Sequence, residues 1–310
     1  MAVRHGGNAE VYGYVRMLKE LADLKKRYGF IRIEYIGESV MGRPIPAVRI
    51  GGGSRKVHYN AAFHANEWIT SRLLMAFIAD YAEAVRSGGA LLEMSAADLF
   101  ESATLCAVPM VNPDGVELVQ GGVSPDHPYY AELLRWNGGN DDFSGWKANI
   151  RGVDLNDQFP AYWEEERARR GTSGPGPRDY GGPAPLSEPE AAAIAGYVRR
   201  VGFELAIALH TQGREIYWNY RGLEPDGSRQ IAEKFAAASG YRAVALTGSD
   251  AGFKDWFIRE FRRPGFTVEA GFGENPLPPS LFGSIYQEVL PILELGLICA
   301  LPPVADSGEK

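Results

Sequence analysis

Two runs of apolar residues constrain the fold of this 310-residue chain most strongly. Residues 103–111 read ATLCAVPMV and lead into the turn signal NPDG, and residues 203–210 read FELAIALH and end at a histidine. Strands that are apolar on both faces belong in the centre of a sheet that helices cover. The runs therefore predict an α/β protein in which polar residues follow directly after buried strands.

The other segments alternate between helical and strand-like patterns. Helical spacing marks residues 10–29, 71–89, 187–200, 225–240 and 280–301, and strand-like patterns mark residues 30–39, 46–52, 56–63 and 265–273. This alternation predicts one domain with a mixed, mostly parallel central sheet and helices on both faces. We expect a catalytic domain over residues 1–303 and a polar tail over 304–310.

Three segments lead to more local expectations. Residues 120–183 are rich in glycine, proline and aromatic residues, which predicts long ordered loops and a place for a binding site. Ser187 followed by Glu190 predicts a capping box at the start of a helix. Glu269 is expected in the middle of a short strand, within the sequence GFTVEAGFG.

Composition narrows the class of protein. The net charge of −7 argues against a nucleic-acid partner, which usually requires a basic patch. The sequence contains no run of about 18 apolar residues, so we predict no membrane-spanning helix. No apolar signal region follows the N-terminus, so a cytoplasmic location is expected. Cys106 and Cys299 lie in apolar runs, which predicts two buried thiols. The sequence sets no expectation for the oligomeric state.

Histidine is scarce, and two of the five histidines stand out. His64 follows a strand-like run and precedes Glu67 by three positions, and His210 ends the second apolar run. Two histidines and one glutamate are a known ligand set of catalytic zinc, which leaves one position open for water. The carboxyl ends of neighbouring strands meet at one edge of an α/β sheet, so the two histidines can converge.

The remaining histidines and a lone His-x-x-Glu also have an ordinary explanation. A histidine at a strand end is more often a hydrogen-bonded structural residue than a metal ligand. We interpret His5, His58 and His127 as such structural residues. The flanking sequences decide the matter for His64 and His210.

Six ordered motifs carry a family resemblance: HANEWIT, PMVNPDGVE, GVDLNDQFP, LHTQG, FKDWF and TVEAGFGENP. Together they resemble the zinc carboxypeptidase family over residues 30–300. The resemblance implies one zinc ion held by His64, Glu67 and His210. It also implies that Glu269 is the general base and acid, which takes a proton from the attacking water and passes it to the leaving nitrogen. The alternative for Glu269 is a structural carboxylate paired with an arginine such as Arg262.

The chain departs from the family pattern where a carboxypeptidase recognises a free carboxylate. Asn156 is kept, but Asp157 stands where the family has an arginine, whose planar fork binds a carboxylate with two hydrogen bonds. Thr247 stands where the family has a mobile tyrosine. Lys254 occupies the position that lines the floor of the specificity pocket. Arg151 is a second candidate for binding a carboxylate.

These departures resemble one branch of the family, the γ-D-glutamyl-L-diamino acid endopeptidases. The resemblance implies hydrolysis of the bond between γ-D-glutamate and meso-diaminopimelate, or L-lysine, in peptidoglycan stem peptides, with a small muropeptide as substrate. Diaminopimelate carries an additional carboxylate and an additional ammonium. We expect Lys254 or Arg151 to bind the carboxylate and Asp157 to bind the ammonium.

Two other functions stay open at this point. The first is a broad zinc metallocarboxypeptidase, or a deacylase of similar fold, against which Asp157 and Thr247 argue. The second is a binding protein without catalytic activity on the same scaffold. The presence of His64, Glu67, His210 and Glu269 argues against the second. A cytoplasmic role on released muropeptides is the expected setting.

Overall fold

A computed structural model describes residues 12–300 of the chain. The predictions for His5 and for the tail 304–310 lie outside these residues, as does the expected domain boundary at 303. The strands are Arg32–Glu38 (β1), Pro44–Ile50 (β2), Arg55–Ala61 (β3), Ala90–Leu91 (β4), Met94–Ser95 (β5), Ala103–Val108 (β6), Leu205–His210 (β7), Glu215–Tyr217 (β8), Arg242–Val244 (β9) and Gly265–Glu269 (β10). The helices are Tyr14–Arg27 (α1), Ile69–Ser87 (α2), Ala96–Ser102 (α3), Pro113–Gly121 (α4), Tyr130–Trp136 (α5), Trp163–Arg170 (α6), Pro189–Val201 (α7), Ser228–Ser239 (α8), Phe253–Phe261 (α9) and Phe282–Cys299 (α10).

Eight strands form one mixed sheet in the order β1-β2-β6-β3-β7-β10-β8-β9. The central strands β6, β3, β7 and β10 run parallel to one another. Antiparallel pairs join β1 to β2, β2 to β6 and β10 to β8, and β9 is parallel to β8. The predicted fold class is confirmed: a single α/β domain with a mixed, mostly parallel central sheet.

Side chains of the central strands point alternately to two cores. Leu205, Ile207 and Leu209 of β7 pack in the core that contains α1, α2, α8 and α10, whereas Ala206 and Ala208 pack in the core that contains α7 and α9. All six residues of β7 are buried, as are all six of β6. Burial on both faces explains why these strands contain almost only apolar residues.

The final helix α10 packs closely against the sheet. The Tyr59 hydroxyl of β3 donates a hydrogen bond of 2.7 Å to the carbonyl oxygen of Leu293. A Cβ atom on Gly296 would come within 2.3 Å of that hydroxyl, so glycine permits the close approach. Within residues 12–300, Pro279–Cys299 is the one helical segment that is long and apolar enough to cross a membrane. About 44% of its most apolar stretch is buried against the rest of the protein, and the absence of a membrane partner stays a prediction.

Three local expectations need correction. Residues 120–183 are not only loops, because α5, α6 and a 3₁₀ turn over Leu155–Asp157 lie within them. The helix α7 begins with Pro189 after Glu188, and no side chain caps it, so the predicted Ser187 capping box is wrong. Glu269 is the last residue of β10 rather than its middle.

The structural interpretation of His58 and His127 is confirmed. His58 Nδ1 lies 3.2 Å from the carbonyl oxygen of Cys106, and Asn60 Nδ2 lies 3.1 Å from its Nε2. Burial lowers the pKa of His58 to about 3, so this imidazole is neutral. His127 Nδ1 accepts the backbone N–H of Tyr129 at 3.1 Å. Cys106 is a buried free thiol, whereas Cys299 is only half-buried.

Candidate metal centre and active site

Three neighbouring parallel strands bring the predicted metal ligands and Glu269 to one edge of the sheet. His210 is the last residue of β7, and Glu269, the last residue of β10, lies directly opposite it in register. His64 and Glu67 follow β3, which pairs with β7 on the other side, and a 3₁₀ turn over Ala65–Glu67 holds the Glu67 side chain next to His64. The strand register therefore determines which polar side chains meet.

His64, Glu67 and His210 present four ligand atoms to a common point. The two Nδ1 atoms of the histidines lie 3.2 Å apart. Glu67 Oε1 lies 2.8 Å from His64 Nδ1, and Glu67 Oε2 lies 3.0 Å from His210 Nδ1. Ligand atoms at about 2.0–2.2 Å from a tetrahedral zinc ion are about 3.3 Å apart. All three side chains are buried, and their spacing fits one zinc ion.

Neighbouring groups hold two of these ligands in a metal-binding orientation. His64 Nε2 lies 3.2 Å from Asp154 Oδ1, so the carboxylate fixes the ring with Nδ1 facing Glu67. The backbone N–H of Thr211 donates to Glu67 Oε2 at 3.2 Å. Histidine ligands of zinc commonly direct their second nitrogen to a carboxylate in this way. Asp154 lies in the GVDLNDQ motif, yet the sequence analysis assigned it no role.

The charges around His64 and His210 favour binding of a cation in place of a proton. Burial opposes protonation of His64, but the charges of Glu67 and Asp154 outweigh it and raise the pKa to about 9. Burial lowers the pKa of His210, which favours the neutral imidazole that binds metals. Two carboxylates and one neutral imidazole around His64 provide the charge balance that a divalent cation requires.

Glu269 lies beside this cluster without a partner of its own. Within residues 12–300 no side-chain hydrogen bond or ion pair holds its carboxylate, and Arg262 does not pair with it. Burial, followed by the negative charge of Glu67, raises the pKa of Glu269 to about 8. A divalent cation at the cluster would oppose that shift. An unpaired, half-buried carboxylate next to a metal site is available for proton transfer.

The loops opposite the strand ends place Asn156 and Asp157 differently. Asn156 is half-buried, and its Oδ1 accepts the backbone N–H of Phe253 at 3.2 Å. Asp157 is buried and paired with Arg170, whose Nε lies 3.0 Å from Asp157 Oδ2. Burial and the charge of Asp154 raise the pKa of Asp157 to about 7, against the effect of Arg170. Asp157 thus already has a cationic partner, and its predicted binding of a substrate ammonium stays a prediction.

The two predicted cationic residues also differ in their availability. The Lys254 ammonium is buried, donates to the carbonyl oxygen of Asn219 at 2.8 Å and is paired with Asp255. Arg151 keeps 43% of its side chain exposed, with one guanidinium nitrogen 3.7 Å from Glu188. Thr247 is exposed on the loop that precedes α9. Of the two cations, Arg151 is the one that solvent and a substrate can reach.

Lys147 is a cation at the site that the sequence analysis missed. Its side chain is half-buried and makes no hydrogen bond or ion pair within residues 12–300. Burial has the largest effect on the pKa values of His64, His210 and Glu269, and the positive charge of Lys147 is among the smaller effects that act to lower them. The available signal was the lysine in the WKANIRGVDLN motif, in the same loop as Arg151. An unpaired ammonium beside the metal ligands can stabilise negative charge that develops there.

Comparison with known proteins agrees with this geometry. The family model described as zinc carboxypeptidase (peptidase M14) matches residues 17–289. The chain belongs to the zinc carboxypeptidase family. A solved structure of thrombin-activatable fibrinolysis inhibitor has the same fold, with a TM-score of 0.74 and 18% identity over 96% of this chain and 76% of that one.

Two relatives are much closer in sequence. Gamma-D-glutamyl-L-diamino acid endopeptidase 1 of Lysinibacillus sphaericus is 50% identical over 286 residues, which cover 92% of this chain and 72% of that protein. The uncharacterized protein YqgT of Bacillus subtilis (strain 168) is 42% identical over 288 residues, which cover 92% of this chain and 76% of that protein. The predicted family is confirmed, and the first relative has the name of the predicted branch.

Proposed function

We propose that this zinc carboxypeptidase family member hydrolyses the amide bond between γ-D-glutamate and a diamino acid in peptidoglycan stem peptides. The site geometry supports the type of reaction: His64, Glu67 and His210 converge, and Glu269 lies opposite His210 with no side-chain partner among the described residues. The 50% identity to a γ-D-glutamyl-L-diamino acid endopeptidase supports the substrate class. Meso-diaminopimelate and L-lysine are both candidates for the diamino acid.

The residues of the site have separate tasks in this reaction. We assign His64, Glu67 and His210 to one zinc ion, which would polarise the scissile carbonyl and lower the pKa of water to about 7. Glu269 accepts a proton from the attacking water and delivers it to the leaving nitrogen. Lys147 stabilises the negative charge that develops on the carbonyl oxygen during attack. Asp154 keeps the His64 ring in its orientation.

We assign recognition of the diamino acid to the loop side of the cleft. The exposed guanidinium of Arg151 is the candidate for a substrate carboxylate, because it can still form a two-bond contact. Lys254 already has Asp255 as a partner, so a substrate carboxylate there would have to share the ammonium. Asp157 acts indirectly, since its pairing with Arg170 anchors the chain next to Asn156.

The test is cleavage of L-Ala-γ-D-Glu-meso-diaminopimelate, followed by mass spectrometry. Zinc-loaded wild-type protein should release diaminopimelate, and Glu269→Gln should retain zinc but release almost none. A panel in which diaminopimelate is replaced by L-lysine would identify the preferred diamino acid. Absence of cleavage by zinc-loaded protein would contradict the proposal.

A broad metallocarboxypeptidase activity is the second candidate. Retention of Asn156 and similarity to carboxypeptidases favour it, with carboxypeptidase A6 of Mus musculus 28% identical over 62% of this chain. Asp157 at the family's arginine position counts against it, because a buried aspartate cannot bind a C-terminal carboxylate. Hippuryl-phenylalanine separates the two candidates: turnover of it at a rate similar to the muropeptide would favour the carboxypeptidase. Cytoplasmic action stays a prediction, to be tested by cell fractionation.

A further inference from the structure

A cavity lies between α1, α2 and the start of α10, outside the site described above. Its volume is about 280 Å³, which corresponds to the volume of about nine water molecules. Tyr12, Arg16 and Glu20 form one wall, and Arg72 and Phe282 line it from α2 and α10. The hydrolytic reaction uses none of these residues. The cavity therefore needs an explanation of its own.

Arg72 is the unusual residue in this cavity. It is only 8% exposed, yet it makes no hydrogen bond or ion pair with any residue in the part of the chain that the structure describes. Its guanidinium carbon lies 4.0 Å from the centre of the Phe282 ring, so an aromatic face covers one side of the group. Buried arginines normally pair their N–H donors, because an unpaired buried charge strongly destabilises the folded state.

Glu20, an acidic residue of α1 that lines the cavity, does not pair with Arg72. Glu20 accepts one hydrogen bond from the Tyr12 hydroxyl and another from Arg16 Nε at 3.2 Å. Its charge reaches Arg72 only through space, together with the opposing charge of Arg16. Asp23 lies at the exposed rim, with Arg27 one helical turn further along α1. The positive charge of Arg72 therefore lines the cavity without a paired acceptor among the described residues.

The other residues that line the cavity indicate the chemistry and size of a ligand for Arg72. Leu24, Met75 and Ala76 give the cavity an apolar side next to the guanidinium. A guanidinium whose face is stacked still offers its N–H edge, which matches a carboxylate with two parallel hydrogen bonds. The volume accommodates one small organic molecule. A ligand with a carboxylate at one end and a short apolar body fits all three properties.

We propose that the cavity between α1, α2 and α10 is a second ligand site, in which Arg72 binds the carboxylate of a small, partly apolar molecule. The site is separate from the metal centre, so it goes beyond the proposed hydrolytic function. The unpaired guanidinium binds the carboxylate, the Phe282 ring supports it from behind, and Met75 contacts the apolar body.

Titration calorimetry with benzoate on the full-length, zinc-loaded protein tests this site. Wild type should bind benzoate, and Arg72→Met should weaken binding at least tenfold, because charge-assisted hydrogen bonds are lost. Arg72→Lys keeps the charge but not the fork, and should weaken binding three- to tenfold. Arg229→Met is the matched control, since Arg229 is an exposed arginine paired with Glu233 on α8. This variant should bind like wild type.

The outcomes separate this site from others that could bind benzoate. Equal binding by wild type and by both Arg72 variants would place benzoate elsewhere, for example at the metal centre, and overturn the proposal. Absence of binding to wild type at about 10 mM would overturn it too. Inorganic phosphate lacks an apolar body and should bind at least fivefold more weakly. Equal or tighter phosphate binding would contradict a carboxylate site.

A last variant tests whether the chain itself supplies the partner. Deletion of residues 1–11 should leave benzoate affinity within about twofold of wild type, a difference of about 0.4 kcal/mol. Binding that occurs only after this deletion would show that the chain occupies its own cavity, and it would overturn the proposal of an external ligand. A crystal structure with benzoate should place the carboxylate against Arg72.

Discussion

The active site has two sides that are constructed differently. The metal side consists of His64, Glu67, His210 and Glu269, which end the central strands or follow them within a few residues. The loop side consists of residues 146–188, where side-chain hydrogen bonds rather than a sheet ladder fix the chain. Asn149 Nδ2, for example, donates to Glu188 Oε2 at 2.7 Å.

This difference divides the chemistry between the two sides. Strand register fixes the distances between the side chains of the metal side. A metal ion and a proton-transfer group both require such fixed distances. The loop side depends on individual contacts such as the Asp157–Arg170 pair, so it can vary without loss of the fold. We therefore expect changes on the metal side to abolish turnover and changes on the loop side to alter its rate or selectivity.

The largest effect is expected from Glu269→Gln. This change removes the proton acceptor without a change in size, so kcat should fall by about 10³-fold or more. Zinc content, measured by atomic emission, should stay at wild-type level because Glu269 lies outside the proposed ligand set. Glu215→Gln on the neighbouring strand β8 is the control and should retain most activity. Loss of zinc together with activity would mean that Glu269 acts as a ligand instead.

The next largest effect is expected from Asp154→Asn, which tests the contact between the two sides. Asp154 belongs to the loop side but holds the His64 ring at 3.2 Å. Loss of its charge should lower zinc affinity about tenfold, in the range found for such supporting carboxylates. Competition with a chelator measures the affinity. Asp179 donates its backbone N–H to Asp154 Oδ2 at 3.3 Å, but within residues 12–300 its side chain makes no hydrogen bond or ion pair with His64. Asp179→Asn should therefore leave zinc affinity unchanged, and an equal loss in both variants would contradict the role of Asp154.

Lys147→Met should have a smaller effect, on turnover alone. If the ammonium stabilises charge that develops on the carbonyl oxygen, kcat should fall about tenfold to hundredfold while zinc affinity is retained. Lys147→Arg should recover most of the rate, since it restores a positive donor. Steady-state kinetics on the tripeptide distinguishes this role from substrate binding. A rise in KM with unchanged kcat would instead place Lys147 in contact with a substrate carboxylate.

The metal side was predictable because each of its residues follows a recognisable apolar run in the sequence. Apolar runs predict buried strands, and polar residues after them predict a shared edge, so His64, His210 and Glu269 follow from pattern and motif together. The central sheet followed in the same way. The end of β10 at Glu269 could not be predicted from the pattern, because the apolar residues continue through Ala270.

The loop side was less predictable because its contacts are long-range. Nothing local indicates that Asp157 is neutralised by Arg170, thirteen positions away on a helix that the sequence pattern did not predict. The helix α6 contains six charged residues in WEEERARR, and Arg169 and Arg170 pair with Asp250 and Asp157 outside the helix. The contact of the Lys254 ammonium with the carbonyl oxygen of Asn219, 35 positions away, is likewise not visible in the local sequence.

The smallest effect on turnover is expected from Glu190→Gln, which tests how the loop side is anchored. Glu190 is fully buried at the start of α7, where its carboxylate accepts the Val40 backbone N–H at 3.1 Å and lies 3.4 Å from Asn149 Nδ2. Burial, with the charges of Asp114 and Glu188, raises its pKa to about 7 from an ordinary value of 4.5. The folded state thus binds this proton more tightly than the unfolded state does.

The sign of the pH effect follows from that raised pKa. The stabilisation is complete below the unfolded value near 4.5 and is lost as the pH rises towards 7, by about 1.4 kcal/mol per pH unit and about 3 kcal/mol in total. Urea unfolding at pH 5 and pH 8 should therefore show that Glu190→Gln loses less stability over this interval than wild type. Parallel pH profiles for the two proteins would mean that Glu190 is ionised in the fold and that Asn149 or a water molecule stabilises its charge.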